Sequence, residues 1–275
     1  MKLSVSIWSV FEKVEANQMD NLSFIEFCKQ EEVKYVELLD LYLEKNNIDD
    51  INSLLKNYNM GVSSFSVTND FVDPNKEKRK IEVEKLKESI DVANFLKAKY
   101  VRVFSGNKKD GVEYEQARLW IVECFKELVP YAKSRGVTMV IENHGLFVGK
   151  SFQVKELLND IDSEFMKANV DVGNFLLANE NPYNAVNNLE DYIAFVHLKD
   201  MKSVEKDAEG LIALDGSKYE GTLLGKGEVP LIKIINYLSK IKYNGFMSIE
   251  FEGKGDPLKG TRESINYIKS IIKGI

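Results

Sequence analysis

The chain has 275 residues, of which 44% are hydrophobic and 29% charged, and its formal net charge is −6. This length suits one large α/β domain and is short for two. The acidic balance argues against non-specific nucleic-acid binding, which needs a basic surface, and no apolar run approaches the roughly 18 residues of a membrane span. Cys28 and Cys124 are isolated within amphipathic helical patterns, so we expect reduced thiols and a cytoplasmic location.

Strand-like and helix-like segments alternate from end to end. Eight such units of about 34 residues each match a closed (β/α)8 barrel. A doubly wound open sheet would usually carry a glycine-rich phosphate turn after its first strand, and none follows here. We therefore predict a single TIM barrel domain over residues 1–275, with its active site at the C-terminal ends of the strands. The predicted strands are LSVSIW (3–8), KYVELL (34–39), VSSFSV (62–67), YVRVFS (100–105), TMVIEN (138–143), KANVDV (167–172), IAFVHLK (193–199) and FMSIEF (246–251).

Local signals predict where two of the helices begin and end. Ser23 and Glu26 form an S-x-x-E pattern before an apolar stripe, which indicates a capping box at the start of a helix. Gly136 follows Arg135 at the end of a long amphipathic pattern and indicates a helix stop. The charged and glycine-rich segment 201–229 departs most from the β/α rhythm, so we predict an active-site lid or a partner loop there.

Four strand-like runs end in a residue that can ligate a divalent metal: Glu142, Asp171, His197 and Glu250. Residues two apart in a strand share a face, and the opposite faces of these strands are apolar. The four side chains should therefore point into the barrel together. Three carboxylates and one imidazole suit one hard or borderline divalent ion, namely Mn2+, Mg2+, Co2+ or Zn2+.

Such a site predicts proton chemistry on a hydroxy-ketone. The metal would bind adjacent oxygens of the substrate and polarise its carbonyl. Glu142 and Glu250 could then move a proton on or off the neighbouring carbon, because a carboxylate within hydrogen-bond reach is a general base. This combination indicates aldose–ketose isomerisation or epimerisation of a small sugar or polyol.

Other inward-facing residues each have two interpretations. Trp8 could form an aromatic wall for sugar carbons, or it could fill the barrel mouth. His144 could contact substrate, or it could be a stacked or hydrogen-bonded core residue. Glu37 also faces inward, and both a structural and a functional role are open. Arg102 lies in the middle of a strand, which favours an interior ion pair.

Lys199 shares the inward face of its strand with His197. A buried lysine without a partner is costly, so it should meet either a substrate oxygen or an acid such as Glu220 or Glu228. The turn LGKGEV offers backbone N–H groups and a lysine, but such turns are common and do not by themselves indicate phosphate binding.

Six segments together resemble the xylose isomerase-like barrels in their order and spacing. This family includes sugar phosphate isomerases and epimerases, ketose 3-epimerases, hydroxypyruvate isomerase, inosose dehydratase and endonuclease IV. The resemblance implies that Glu142, Asp171, His197 and Glu250 are the metal ligands and that the two glutamates are the acid–base pair. The segments are RVFSG (102–106), IENHG (141–145), DVGN (171–174), HLKD (197–200), LGKGEVP (224–230) and SIEFEG (248–253).

The chain departs from some branches of that family. Ketose 3-epimerases carry a histidine three residues after the metal aspartate, where this chain has Asn174, and an arginine after the metal histidine, which is absent from HLKDMKS. The HLKD form looks more like the inosose dehydratase and general sugar isomerase branch, which implies substrate contacts by Lys199 and, at the replaced histidine, by Asn174. Endonuclease IV needs several histidines for three zinc ions, and this chain has two in total.

The sequence therefore predicts a metal-dependent isomerase or epimerase of a sugar, a sugar phosphate or a related hydroxy-ketone. One alternative is a lyase that removes water from an inosose-type polyol after the same first proton transfer. Another is a non-catalytic sugar-binding protein on the same scaffold. The expected partner is a small sugar or polyol, without nucleic acid or membrane, and a homodimer formed by strand-end loops would suit the family.

Overall fold

The computed structural model describes residues 1–43, 48–145 and 147–274 and contains a closed barrel of eight parallel strands. Neighbouring strands around the barrel pair in parallel, and the first strand closes it against the last. The predicted (β/α)8 barrel is confirmed. Its strands are β1 (Lys2–Ser6), β2 (Tyr35–Leu39), β3 (Gly61–Ser66), β4 (Tyr100–Val103), β5 (Thr138–Glu142), β6 (Met166–Asp171), β7 (Ile193–Leu198) and, after three short strands described below, β11 (Phe246–Ile249).

Helices surround the barrel and bury their apolar stripes against it. Gly136 ends the longest helix in a left-handed conformation, with a φ of 65°, as the sequence predicts. Among the described residues, no helix combines the length and the apolar character that crossing a membrane requires. The helices are α1 (Phe11–Glu15), α2 (Asn21–Gln30), α3 (Ile48–Tyr58), α4 (Lys76–Phe95), α5 (Tyr114–Arg135), α6 (Ser151–Ile161), α7 (Asn174–Leu177), α8 (Pro182–Asn188), α9 (Leu231–Lys240) and α10 (Pro257–Ile272), with 3-10 turns at Ile7–Val10, Asp40–Tyr42 and Glu190–Tyr192.

Aromatic side chains close the N-terminal end of the barrel interior. Tyr35, Tyr100, Phe195 and Phe246 pack with ring centroids between 4.9 and 6.2 Å apart, mostly edge to face. Above this layer the interior becomes polar, because His197 lies two residues after Phe195 on the same face of β7. The apolar end therefore supports a polar layer at the C-terminal ends of the strands.

The segment 201–229 forms a small antiparallel sheet where a lid or partner loop was predicted. Its strands are β8 (Met201–Val204), β9 (Leu211–Ile212) and β10 (Lys218–Gly221), in the order β8-β10-β9. Cross-strand pairing satisfies the backbone of this charged segment, so it is an ordered part of the rim above the barrel.

Asp200 anchors this segment to the end of β7. Its carboxylate accepts N–H bonds from Met201 and Gly225 at 3.0 and 2.8 Å, and from Gly227 and Val229 at 2.9 and 3.1 Å. A Cβ at Gly227 would lie 2.2 Å from Asp200 Oδ1, so only glycine allows this approach. The carboxylate thus occupies the N–H groups of the LGKGEV turn that a phosphate would need.

We expect Asp200→Ala to destabilise the fold by about 3 kcal/mol, because several backbone N–H groups would lose a buried acceptor. Urea unfolding followed by circular dichroism would measure this loss. Asp207→Ala, at an exposed position in the same segment, is the matched control and should leave the free energy of unfolding nearly unchanged. Equal stability of the two variants would contradict an anchoring role for Asp200.

Candidate metal centre

The four predicted ligands converge at the C-terminal end of the barrel. Glu142 and Asp171 are the last residues of β5 and β6, His197 is the penultimate residue of β7, and Glu250 directly follows β11. One ligand atom from each lies within 4.8 Å of the others, and all four side chains are buried. The barrel register brings the strand ends together, since β6 pairs Asp171 with His197 of β7.

Glu142 and Asp171 each have one oxygen held by the protein and one that faces the centre. Glu142 Oε1 accepts from Asn174 Nδ2 at 3.1 Å, while its Oε2 lies 3.5 Å from His197 Nδ1. Asp171 Oδ1 accepts backbone N–H bonds from Gly173 and Asn174 at 2.8 and 3.0 Å. Its Oδ2 is buried, lies 3.9 Å from His197 Nδ1 and 3.0 Å from the Lys199 ammonium, and accepts no hydrogen bond from a neutral donor. A buried carboxylate oxygen whose one close contact is a cation fits a position that a metal ion could occupy.

Glu250 and His197 follow the same arrangement. Glu250 Oε2 lies 2.8 Å from Lys199 Nζ, and its Oε1 lies 3.7 Å from His197 Nδ1. His197 Nε2 lies 2.9 Å from Glu37 Oε1, so Nδ1 is the ring nitrogen that faces the three carboxylates. Each of the four residues thus presents one atom to the centre, while a neighbouring group fixes the orientation of its side chain through the other atom.

The negative charge of the cluster also fits a divalent cation. Two fixed cations lie among the carboxylates: Arg102 Nε is 3.2 Å from Glu142 Oε2, and Lys199 Nζ lies within 3.0 Å of three carboxylates. With every carboxylate ionised and the imidazole neutral, as metal binding requires, five carboxylates and two fixed cations would leave three formal negative charges, of which a divalent ion would offset two. The carboxylates are those of Glu37, Glu142, Asp171, Glu250 and Glu252, and the cations are Arg102 and Lys199.

Burial and neighbouring charges shift the pKa values in this cluster strongly. Burial raises the pKa of Asp171 to about 7 and also raises the pKa of Glu142. Burial opposes charge on Glu250, but the positive charges of Lys199 and His197 together outweigh it and hold the pKa of Glu250 below its ordinary value. Burial likewise disfavours the imidazolium form of His197, yet the surrounding carboxylates raise its pKa to about 10. The metal-free cluster therefore holds protons that a bound metal would displace.

Lys199 is buried and faces inward, but the expected acids are not its partners. Glu220 pairs with Lys202 and Lys254, and Glu228 accepts from the backbone of Ser203, so the predicted ion pair with either acid is wrong. The residue lies just beyond β7, where its ammonium reaches the candidate ligands themselves. The carboxylates around it are those of Asp171, Glu250 and Glu252, at 3.0, 2.8 and 3.0 Å.

Trp8 lies at the barrel mouth but outside β1, which ends two residues earlier than predicted. Ser6 ends the strand because its side chain accepts from Trp8 N at 3.3 Å and begins the 3-10 turn Ile7–Val10. The half-buried indole stacks on Phe11 with centroids 4.7 Å apart. Its Nε1 donates to Glu252 Oε1 at 2.7 Å, which links Trp8 to the acid that also contacts Lys199.

His144 is exposed and lies outside the buried cluster. Its ring lies against Phe104, with centroids 4.2 Å apart, and the Arg102 guanidinium lies 3.9 Å from the Phe104 centroid on the inner side. His144 and Phe104 line an adjoining cavity of about 550 Å3 with Asn69 and Asn107. His144 therefore faces a cavity whose lining includes none of the four candidate ligands. Arg102 makes the ion pair that its strand position predicts.

Sequence reasoning assigned no role to two further inward-facing residues around the centre. Asn169 Nδ2 lies 3.3 Å from Glu142 Oε2 and 3.2 Å from His197 Nδ1. Glu252 lies 3.0 Å from Lys199 Nζ. The alternation along the strands gives the signal for both, because Asn169 shares a face with Asp171, as Glu252 does with Glu250.

Comparisons with known proteins identify the family. The family model for the xylose isomerase-like TIM barrel matches residues 25–271. Inosose dehydratase of Clostridium beijerinckii is 24% identical over 170 residues, so the match spans 58% of this chain and only 57% of that relative.

Solved structures of similar fold cover nearly the whole chain. The IOLI protein, solved with a zinc atom, superposes with a TM-score of 0.82 at 16% identity, over 100% of this chain and 99% of its own. D-allulose 3-epimerase from Methylomonas sp., solved with D-allulose, has a TM-score of 0.79 at 15% identity, over 98% and 96% of the two chains. At these identities the structures show the shared fold, and it is the family match over residues 25–271 that establishes that the chain belongs to the xylose isomerase-like TIM barrel family.

Proposed function

We propose that this protein is a divalent-metal-dependent isomerase or epimerase that acts on a small sugar or a related hydroxy-ketone. The observation that carries the proposal is the buried convergence of Glu142, Asp171, His197 and Glu250 within 4.8 Å. The C-terminal ends of the strands are where TIM barrel enzymes have their active sites. The similarity to an inosose dehydratase and the shared fold with a D-allulose 3-epimerase also support an enzyme that acts on a small sugar or polyol.

In this proposal the four residues hold one divalent ion, either Mn2+, Mg2+, Co2+ or Zn2+. Oxygen donors suit the harder ions of this set, and the imidazole also admits zinc and cobalt. When bound, the ion supplies Lewis-acid polarisation of the substrate carbonyl and its neighbouring hydroxyl. The convergence of one atom from each candidate ligand on a common centre supports this assignment, with distances of 3.5 to 3.9 Å from His197 Nδ1 to the three carboxylates.

Glu142 and Glu250 are proposed as the acid–base pair. In the strand order β11-β7-β6-β5, two strands separate the ends that carry them, so their carboxylates approach the centre from different directions. Epimerisation takes a proton from one face of a carbon and returns one to the other face, which two such carboxylates can do. The Lys199 ammonium is proposed to bind a substrate oxygen and the Trp8 ring to cover the carbon chain.

An unphosphorylated sugar is the proposed substrate class. The LGKGEV turn is the local feature that could have offered N–H groups to a phosphate, and Asp200 already bonds Gly225 and Gly227 there. D-allulose in the structurally similar epimerase supports a neutral sugar of this size. The free, buried cysteines support a cytoplasmic location. A homodimer and one domain over residues 1–275 stay predictions.

Dehydration of an inosose-type polyol is the second candidate activity. The match to inosose dehydratase and the HLKD segment favour it. Both activities begin with the same proton transfer, and they differ in whether a hydroxyl then leaves. Product analysis by NMR separates them, while binding of sugars without proton exchange or product would favour a non-catalytic sugar-binding protein.

We expect the protein purified without chelator to contain about one divalent ion per chain, and His197→Ala to lose it, because an imidazole ligand is removed. Inductively coupled plasma mass spectrometry would measure the content. His144→Ala is the matched control, since it changes the chain's other histidine, which lies outside the cluster. No metal in the wild type after addition of Mn2+ or Zn2+ would exclude the proposed mechanism.

We expect Glu142→Gln to slow exchange of the substrate proton in deuterium oxide by about 10^2- to 10^4-fold, because an amide cannot accept the proton. Proton NMR of candidate ketoses would follow the exchange at saturating metal, with metal content measured in parallel. Glu88→Gln makes the same change on the exposed side of α4 and should exchange at the wild-type rate. Undiminished exchange by metal-loaded Glu142→Gln would remove this residue from the acid–base pair.

Metal affinity should rise with pH. The pKa of Asp171 is raised to about 7, so below that pH the metal competes with a proton, and above it the carboxylate is free. Isothermal titration calorimetry from about pH 6 to about pH 8, in two buffers with different ionisation enthalpies, would measure affinity and proton release. Affinity that is flat across this range, without proton release, would contradict the expected competition.

A further inference from the structure

We propose that Glu37 is a positioning residue that makes Nδ1 of His197 the metal-binding nitrogen. The inference rests on the proposed metal site and assigns a role to a residue outside the four candidate ligands. Glu37 contacts the Nε2 side of the His197 ring, so it would act through that ring.

The geometry places the two ring nitrogens in opposite environments. His197 Nε2 lies 2.9 and 3.1 Å from the two carboxylate oxygens of Glu37. Nδ1 lies between 3.5 and 3.9 Å from oxygens of the three carboxylate candidates for metal binding. An ionised carboxylate only accepts hydrogen bonds, so it requires a proton on Nε2. A neutral imidazole with that proton has its lone pair on Nδ1, where a metal can bind.

The Glu37 carboxylate is itself held in place. Ser66 Oγ on β3 donates to Glu37 Oε1 at 2.5 Å. Ser66, Glu37 and His197 are all completely buried. A chain of hydrogen bonds runs through these three residues, which lie on three different strands, and ends at the centre. A buried carboxylate next to imidazole raises the basicity of the ring and fixes its orientation. This is the arrangement expected of a partner that prepares a histidine for a metal.

Direct observation of the ring nitrogens tests the assignment. Protein labelled with 15N-histidine and loaded with Zn2+, which is diamagnetic, should give two ring systems, because the chain has two histidines. Long-range 1H–15N spectra should show His197 with its proton on Nε2 and zinc on Nδ1, with His144 as the unligated reference. Zinc on Nε2, or a proton on Nδ1 in the zinc-loaded protein, would overturn the proposal.

Substitutions test whether Glu37 strengthens metal binding by His197. Glu37→Gln keeps the size of the side chain but removes its charge, and we expect zinc affinity to fall about 10- to 100-fold. Ser66→Ala should weaken zinc binding by less. Ser64→Ala is its matched control, because Ser64 lies on the same face of β3, is completely buried, and has a hydroxyl without a hydrogen-bond partner. We expect it to bind zinc like the wild type.

The outcomes separate this inference from the proposed function. Wild-type zinc affinity in folded Glu37→Gln would overturn the role of Glu37 and leave the metal site standing. A wild type that binds no zinc would overturn both. Circular dichroism checks folding, and if Glu37→Gln does not fold, the two serine variants decide the matter. Equal zinc affinity of Ser66→Ala and Ser64→Ala would then overturn the proposal, and a loss confined to Ser66→Ala would support it.

Discussion

Repulsion between buried carboxylates is the constraint on which the rest of this site depends. Glu37, Glu142, Asp171 and Glu250 have almost no access to solvent, and each must be offset by a cation or a hydrogen-bond donor. The chain supplies such partners individually, with a backbone turn for Asp171 and the His197 ring for Glu37. Two fixed cations balance the buried carboxylates only in part, and the remaining negative charge is concentrated at the centre, where one atom of each candidate ligand converges. A cluster assembled in this way is costly without a divalent cation, which is the physical case for one.

The barrel can accommodate this buried polar cluster because the N-terminal end of its interior is apolar. The aromatic layer at the N-terminal end fills the interior with apolar volume, so the polar groups are confined to one end. Continuous strand pairing then fixes the spacing of the strand ends, and side chains far apart in sequence meet at short range. Glu37 and His197 are 160 residues apart and still lie 2.9 Å from each other. Asp200 also attaches the segment 201–229 to the end of β7, the strand that carries His197.

Alternation of apolar and polar residues was sufficient to predict the eight strands and the four candidate ligands that meet at the centre. Local boundaries were less predictable, because competing polar side chains decide them. Helix α2 begins at Asn21, with Asp20 as its N-cap and Ser23 in the third helical position, so the capping box lies three residues before the predicted one. The sheet in 201–229 was missed since its short strands carry charge and glycine. The hydrogen bonds from Ser66 through Glu37 to His197 could not be predicted from the sequence, because these residues come together only when the barrel closes.

Asn174 shows how one departure from the epimerase pattern fits the site. Its Nδ2 donates to Glu142 Oε1 at 3.1 Å, its Oδ1 lies 3.4 Å from Lys199 Nζ, and its backbone N–H donates to Asp171. An amide offers a donor and an acceptor at one end of a short side chain, so it can join an acid and an ammonium at once. With its amide engaged in this way, Asn174 orients the acid and the ammonium around it, and under the proposed function Lys199 and Trp8 would contact the substrate. Substrate choice in this chain would then depend on the side of the barrel mouth that carries Lys199, Glu252 and Trp8, which are already joined by hydrogen bonds and charge.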